Sequence, residues 1–200
     1  VEVIRLEGGF KALRQCLIYV MESMAGDSRS IWILGGRTGS KKTVVIRELA
    51  NSIDLENLAE HRGSAFGSFL HNQPPPVTFE NALATKLLQH QLNHLVLEDE
   101  SRTIGRLAIP EPLYSRMKNS PIAMIEANLE TRVEHIFQEY VEDPLSSGLS
   151  EDKLSGHYQE ALNRIHRRLG REKHTSITKK IRGAFDGKSS HQSWIKALLV

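Results

Sequence analysis

Ile31-Trp32-Ile33-Leu34-Gly35-Gly36-Arg37-Thr38-Gly39-Ser40-Lys41-Lys42-Thr43 decides the fold. Its apolar start reads as a short buried strand. The glycines make a tight turn, and Lys42-Thr43 opens a helix. The spacing follows G-x-x-x-x-G-K-[ST], the pattern of a phosphate-binding loop, from Gly36 to Thr43. Backbone N–H groups of such a turn face an anion, and the helix dipole adds partial positive charge. In this pattern Gly36, Thr38, Gly39 and Ser40 shape the cradle, Lys42 reaches the terminal phosphates, and the Thr43 hydroxyl meets Mg²⁺. One position departs from it: Lys41 stands where a glycine is expected. A non-glycine residue in the left-handed conformation costs about 1–2 kcal/mol. A strained or displaced loop with weakened nucleotide affinity is therefore expected. Lys41 as a second cation on the same anion, and a simple glycine-rich turn, are the alternatives.

Working outward, strand-like and helix-like segments alternate, which predicts an α/β fold of the P-loop type. The expected architecture is a three-layer sandwich with a mostly parallel sheet. Residues 1–6 read as a terminal strand. Phe10, Leu13, Leu17, Val20 and Met24 mark a helical face, with Cys16 beside it as a small buried residue. Val45, Ile46, Leu49 and Ala50 give a helix to about Asn51. Further strands are expected at 52–56, 94–98 and 120–126, with residues 57–67 as a polar loop. Pro74–Pro76 reads as an extended surface segment. A helix follows it, carrying Phe79, Leu83, Leu87 and Leu88, with Thr78 as N-cap. Residues 107–112 read as connector. Leu129, Val133, Ile136, Phe137 and Tyr140 predict another amphipathic helix. After Pro144 a linker, residues 145–148, leads to helical patterns alone: Leu154 to Leu169, Ile177 to Phe185, and Trp194 onward.

The bulk composition narrows the function classes. The chain has 200 residues, 40% of them hydrophobic, and a net charge of only +2. It is not basic throughout. The single cysteine, Cys16, excludes an internal disulfide and suits a reducing cytoplasm. No apolar run is long enough to span a bilayer, so no membrane partner is expected. The absence of a starting Met reads as a fragment.

Three groups of residues carry candidate chemistry besides the loop. Leu95-Val96-Leu97-Glu98 is an apolar strand ending in an acid, the arrangement that holds a loop-bound metal through water. Glu98 is thus paired with Thr43 as the metal side. His61, Arg62, Arg102 and Arg106 lie on loops after strand ends, where they can converge on an anionic substrate; solvated surface groups are the plainer alternative. Between residues 160 and 182, eight Lys and Arg oppose two Glu. Arg164, Arg167, Arg168, Arg171, Lys179, Lys180 and Arg182 form a polar face whose natural partner is a nucleic-acid backbone. An ordinary solvated face is the plainer alternative.

The segments Leu55-Glu56-Asn57-Leu58-Ala59-Glu60-His61-Arg62-Gly63-Ser64-Ala65-Phe66-Gly67 and Glu98-Asp99-Glu100-Ser101-Arg102-Thr103-Ile104-Gly105-Arg106 resemble signatures of the bacterial tRNA 2-selenouridine synthase family. Phe79-Glu80-Asn81, the glycine loop and Arg164-Ile165-His166-Arg167-Arg168-Leu169-Gly170 resemble it too. The resemblance implies a tRNA substrate modified at the wobble uridine. It also implies conversion of 2-thiouridine to 2-selenouridine through an S-geranylated intermediate, with geranyl diphosphate and selenophosphate as substrates. His61, Arg62, Arg102 and Arg106 are then catalytic, and the loop holds a diphosphate instead of a nucleotide.

That family joins a rhodanese-like domain to a phosphate-loop domain, and this chain resembles the second. Residues 1–26 correspond to the rhodanese-like tail and a linker helix, 27–144 to the phosphate-loop domain, and 145–200 to a basic tRNA-binding extension. The rhodanese-like domain is an expected partner, and Cys16 does not match its catalytic cysteine. An ATP- or GTP-hydrolysing or kinase-like domain, and a non-catalytic tRNA-docking module, remain as alternatives.

Overall fold

The computed structural model of the chain describes residues 5–68 and 71–200, which fall into two compact units. The first takes in the described residues of Val1–Gly35, Thr43–Gly63 and His71–Met124. The second takes in those of Gly36–Lys42, Ser64–Leu70 and Ile125–Val200. Most of the strand expected over residues 1–6 lies outside the described residues, and Arg5 and Leu6 are not in a strand.

The first unit is α/β. Helix α1 (Gly9–Ser23) and a short 3₁₀ turn lead to strand β1 (Ser30–Gly36). After the glycine-rich loop come α2 (Lys42–Glu48), β2 (Ser52–Ile53), α3 (Leu55–Ala59) and α4 (Pro76–Gln89). Strand β3 (His94–Glu98), the antiparallel pair β4 (Thr103–Ile104) and β5 (Leu107–Ala108), helix α5 (Glu111–Lys118) and β6 (Ile122–Ile125) complete it. The main sheet runs β2-β3-β1-β6. Strands β1 and β2 both pair parallel with β3.

This order creates a switch point. The chain leaves β1 toward β2 on one side and leaves β3 toward β6 on the other. Ligands of open α/β sheets bind outside the strand carboxyl ends at such a point. There, Leu34 of β1 is in register with Glu98 of β3.

Alternation along β1 sets the core. Ile31 and Ile33 are buried while Trp32 between them is 47% exposed. Ile31, Ile33, Ile53, Leu95 and Leu97 pack with Leu17 and Met21 of α1, Phe79, Leu83 and Leu87 of α4, and Leu113 and Met117 of α5. Each such side chain contributes roughly 1.5–3 kcal/mol on full burial.

Several expectations change here. Only Ser52 and Ile53 are strand; Leu55 and Glu56 begin α3, because the Asp54 carboxylate accepts the Asn57 N–H (2.7 Å) as an N-cap. Pro75, not Thr78, caps α4, whose first residue is Pro76, the position where a missing N–H costs nothing. Helix α5 replaces part of the expected connector, with Pro112 inside its first turn. Helix α2 stops at Glu48 and buries only Ile46, so Val45 and Leu49 are exposed. Cys16 is exposed rather than buried, as are Phe10, Leu13 and Leu88. A helical stripe shows which residues share a face, not how far along the helix the core extends.

In the second unit, α6 (Leu129–Phe137) passes through one π-helical segment, Gln138–Glu142, into α7 (Asp143–Ser146). Then follow α8 (Glu151–Arg164), α9 (His166–Leu169), α10 (Arg171–Phe185) and α11 (His191–Leu199). Helix α10 packs on α8 and α11, and α11 packs on α6. Tyr158 and Trp194 sit at the centre with ring centroids 5.4 Å apart, both almost fully buried. The Tyr158 hydroxyl donates to the Tyr140 carbonyl inside the π-helical segment.

The residues expected to form a linker are partly helical, and Leu145 and Leu149 pack against this core. The single helix expected from Leu154 to Leu169 is broken at Ile165, which leaves helical geometry at ψ 9°.

Candidate functional site

The glycine-rich loop can be built up from its own contacts within the second unit. Lys42 Nζ folds back to donate to the Gly36 carbonyl at 3.0 Å. The Ser40 N–H donates to the Arg37 carbonyl at 3.0 Å, tightening the turn. Gly36 must lack a side chain: a Cβ there would lie 2.5 Å from Ser40 Oγ and 3.0 Å from the Ile125 carbonyl. Gly39 has φ +83°, and its Cβ would meet the Arg132 carbonyl at 2.6 Å. Helix α6 also holds the loop. Arg132 Nε donates to the Thr38 carbonyl at 2.8 Å, and His135 Nδ1 lies 2.8 Å from the Gly39 carbonyl. Thr38 itself is exposed.

Lys41 takes φ +63°, one of two non-glycine residues at positive φ among the described residues. The strain expected from the sequence is present at that residue. Ser40 Oγ is buried and has no hydrogen-bond partner, the only such side-chain atom among the described residues. A buried hydroxyl left unpaired costs about 1–3 kcal/mol, so the loop holds an unmet polar group.

Within the first unit, Thr43 and Glu98 are brought together. Thr43 Oγ1 lies 3.1 Å from Glu56 Oε2 and 3.4 Å from Glu98 Oε1. Glu98 is fully buried, and its Oε2 accepts the Glu56 N–H at 3.1 Å. Burial, followed by the charges of Glu56 and Asp54, pushes the Glu98 carboxyl up to about 8. Gly63 keeps two carboxylates close, since a Cβ there would lie 2.7 Å from both Glu56 Oε1 and Glu100 Oε2.

One hydroxyl and two carboxylates suit Mg²⁺, a hard cation that keeps water and substrate oxygens in its shell. Among the described residues no group of three or more His, Cys, Asp or Glu is arranged to hold a metal by itself. Thr43, Glu98 and Glu56 would therefore hold Mg²⁺ only together with phosphate oxygens.

The four residues expected to be catalytic also fall in this unit. His61 is buried, and its Nδ1 accepts the Gly63 N–H at 3.1 Å. Arg62 is half-buried beside it. Arg102 is ion-paired with Glu111, both more than half exposed. Arg106 turns to the Gln73 carbonyl, and its N–H donates to Gln73 Oε1 at 2.8 Å. The Gln73 amide also donates to the Ala59 and Ile104 carbonyls at 2.9 and 3.0 Å. Gln73 thus ties the end of α3, which leads into His61 and Arg62, to the β4–β5 turn that bears Arg106.

Motif spacing does not single out Glu56, Gln73, Arg132 or His135. Glu56 is legible only as a carboxylate inside a signature segment. Arg132 carries no signal beyond adjacency to the apolar face of α6.

In the second unit, Arg164, Arg167, Arg168, Arg171, Lys179, Lys180 and Arg182 are all exposed. Arg164 donates to Ser68 Oγ at 3.2 Å and Arg182 to Gln159 Oε1 at 3.1 Å. None of the seven pairs with a carboxylate among the described residues. The local positive charge is therefore not neutralised by ion pairs among them. No described helix is long and apolar enough to cross a membrane.

Comparison with known proteins bears on this geometry. A family model described as the tRNA 2-selenouridine synthase AAA domain matches residues 29–200. A protein named tRNA 2-selenouridine synthase from Shewanella frigidimarina is 40% identical over 97% of this chain and 57% of its own length. One of the same name from Pseudomonas fluorescens is 39% identical over the whole chain and 58% of its length. A third, from Marinobacter nauticus, is 40% identical over 97% of the chain and 57% of its length. The chain thus spans a little over half the length of these relatives. No solved structure gives a significant match. With most of its length covered by the family model, the chain belongs to the tRNA 2-selenouridine synthase AAA-domain family.

Proposed function

We propose that this chain is the phosphate-loop part of a tRNA-modifying transferase that converts wobble 2-thiouridine to 2-selenouridine. The substrates are tRNA, geranyl diphosphate and selenophosphate, and the compartment is the cytoplasm, where tRNA resides. The observation that carries the reading is the loop itself: the Lys42 ammonium rests on a backbone carbonyl, and the Ser40 hydroxyl is buried with no partner. Both are groups that a phosphate satisfies.

In the first reaction the thiouridine sulfur attacks C1 of the geranyl group. A C–S bond forms, the C–O bond breaks, diphosphate leaves with the electron pair, and the N3 proton of the thiouridine passes to the departing diphosphate or to solvent. Lys42 and the loop N–H groups neutralise the charge that develops on the leaving oxygen, which is where preorganised donors act most strongly. Mg²⁺, when bound at Thr43 and Glu98, supplies further neutralisation. The selenium of selenophosphate then attacks C2, the C–S bond breaks, and geranylthiolate leaves and takes up a proton; water cleaves the Se–P bond and releases phosphate. His61, Arg62, Arg102 and Arg106 are assigned to these anionic substrates. The exposed cations from Arg164 to Arg182 are assigned to the tRNA backbone. The rhodanese-like part of the longer polypeptide is the partner in selenium transfer.

Titration of the protein with geranyl diphosphate, ATP and GTP tests the reading. Geranyl diphosphate is expected to bind more tightly than either nucleotide. Turnover of ATP or GTP without tRNA, or preferential nucleotide binding, would overturn it in favour of a nucleotide hydrolase.

A further inference from the structure

Arg132 is 6% exposed and has no carboxylate partner among the described residues. Its Nε donates to the Thr38 carbonyl at 2.8 Å. Its two terminal nitrogens have no protein acceptor among the described residues and keep contact with solvent. A largely enclosed guanidinium with no carboxylate partner is a cation that an arriving anion can pair with. The charge that acts on Arg132 has the wrong sign. Desolvation first, and then the Arg37 cation, depress the Arg132 guanidinium below its ordinary value.

The neighbouring loop groups point to an anion. Lys42 Nζ is parked on the Gly36 carbonyl, and buried Ser40 Oγ has no partner. These groups belong to the same unit as Arg132. A guanidinium fork with free parallel N–H donors matches phosphate oxygens in a two-point contact that an ammonium cannot make.

We propose that Arg132 is a second anion-binding cation of the glycine-rich loop, contacting the same phosphate group that Lys42 serves. This role rests on the reading of the loop as a diphosphate site and deepens it. It also gives α6 a double task. Through Nε, Arg132 holds the Thr38 carbonyl; through its terminal nitrogens it meets the ligand. A diphosphate, with charge spread over two phosphoryl groups, has more to gain from two cations than orthophosphate has.

The test is calorimetric titration of the protein with inorganic pyrophosphate and Mg²⁺, for wild type, Lys42→Ala, Arg132→Lys and Arg132→Gln. Arg132→Gln is expected to weaken binding about ten- to hundred-fold, the effect of losing a charge-assisted hydrogen bond. Arg132→Lys is expected to recover part of that loss. Without ligand, Arg132→Gln should lower the melting temperature by no more than the loss of the single Thr38 hydrogen bond explains. A purely structural arginine would lose stability with pyrophosphate affinity unchanged. If wild type and Arg132→Gln bind pyrophosphate equally while Lys42→Ala does not, the role of Arg132 is wrong and the loop reading stands. If wild type and Lys42→Ala both fail to bind, the loop reading itself falls, and Arg132 with it.

Discussion

The buried carboxylate of Glu98 accepts a hydrogen bond from the backbone N–H of Glu56 at 3.1 Å, while the Glu56 side chain shares the Thr43 hydroxyl with it. Two acids thus crowd one hydroxyl at the end of β3. Glu98 titrates near 8 when folded against an ordinary value of 4.5. Between those values the unfolded chain releases a proton that the folded chain keeps, so stability falls as pH rises. Glu98→Gln should remove this slope and stabilise the protein at pH 8 by about 1–3 kcal/mol. Urea melts at pH 5 and pH 8.5 check the sign. Mg²⁺ with pyrophosphate should flatten the wild-type slope, since a nearby cation favours the ionised acid.

Lys41 sits at φ +63° in the loop. Glycine relieves roughly 1–2 kcal/mol of left-handed strain but adds about 0.4–1 kcal/mol of unfolded-chain entropy. Lys41→Gly should therefore stabilise by about 0.5–1 kcal/mol. Pyrophosphate binding should tighten as the loop relaxes around the anion. A melting curve and a titration read the two effects separately.

Gly105 has φ +60°, and a Cβ on it would lie 2.2 Å from Gln73 Oε1. Gln73 in turn bonds Ala59, Ile104 and Arg106. Gln73→Leu leaves these backbone groups unpaired and should cost about 2–3 kcal/mol in urea unfolding. Gly105→Ala should be similarly damaging, because it displaces the same amide and demands a strained conformation.

The exposed cations of α8 to α10 make no ion pair among the described residues, so their charge is available to a polyanion. Neutralising Arg167, Arg168 and Arg171 together should weaken tRNA binding. It should also reduce the slope of log affinity against log salt by about one for each phosphate that these cations neutralise. Thermal stability should stay close to wild type, because the three side chains are exposed. An unchanged salt slope would remove this face from the tRNA interface.

What is legible in the chain follows local periodicity and motif spacing. Strands β1 and β3, the glycine loop, Thr43 beside Glu98, and the helical character after Pro144 all leave such marks. Leu55 and Glu56 read as strand because their apolar alternation outweighs the Asp54 cap. Cys16 reads as buried because α1 carries its apolar stripe beyond the core. Arg132 and Gln73 are invisible for a different reason: each acts through backbone carbonyls distant in sequence, and a carbonyl has no sequence identity.

The central claim, that the loop handles a diphosphate in tRNA modification, is tested most directly by the nucleoside content of treated tRNA. The full-length enzyme bearing Lys42→Ala is supplied with 2-thiouridine-containing tRNA, geranyl diphosphate and selenophosphate. S-geranyl-2-thiouridine and 2-selenouridine should both be lost, with tRNA binding retained through the basic helices. Wild-type levels of both nucleosides would contradict the claim.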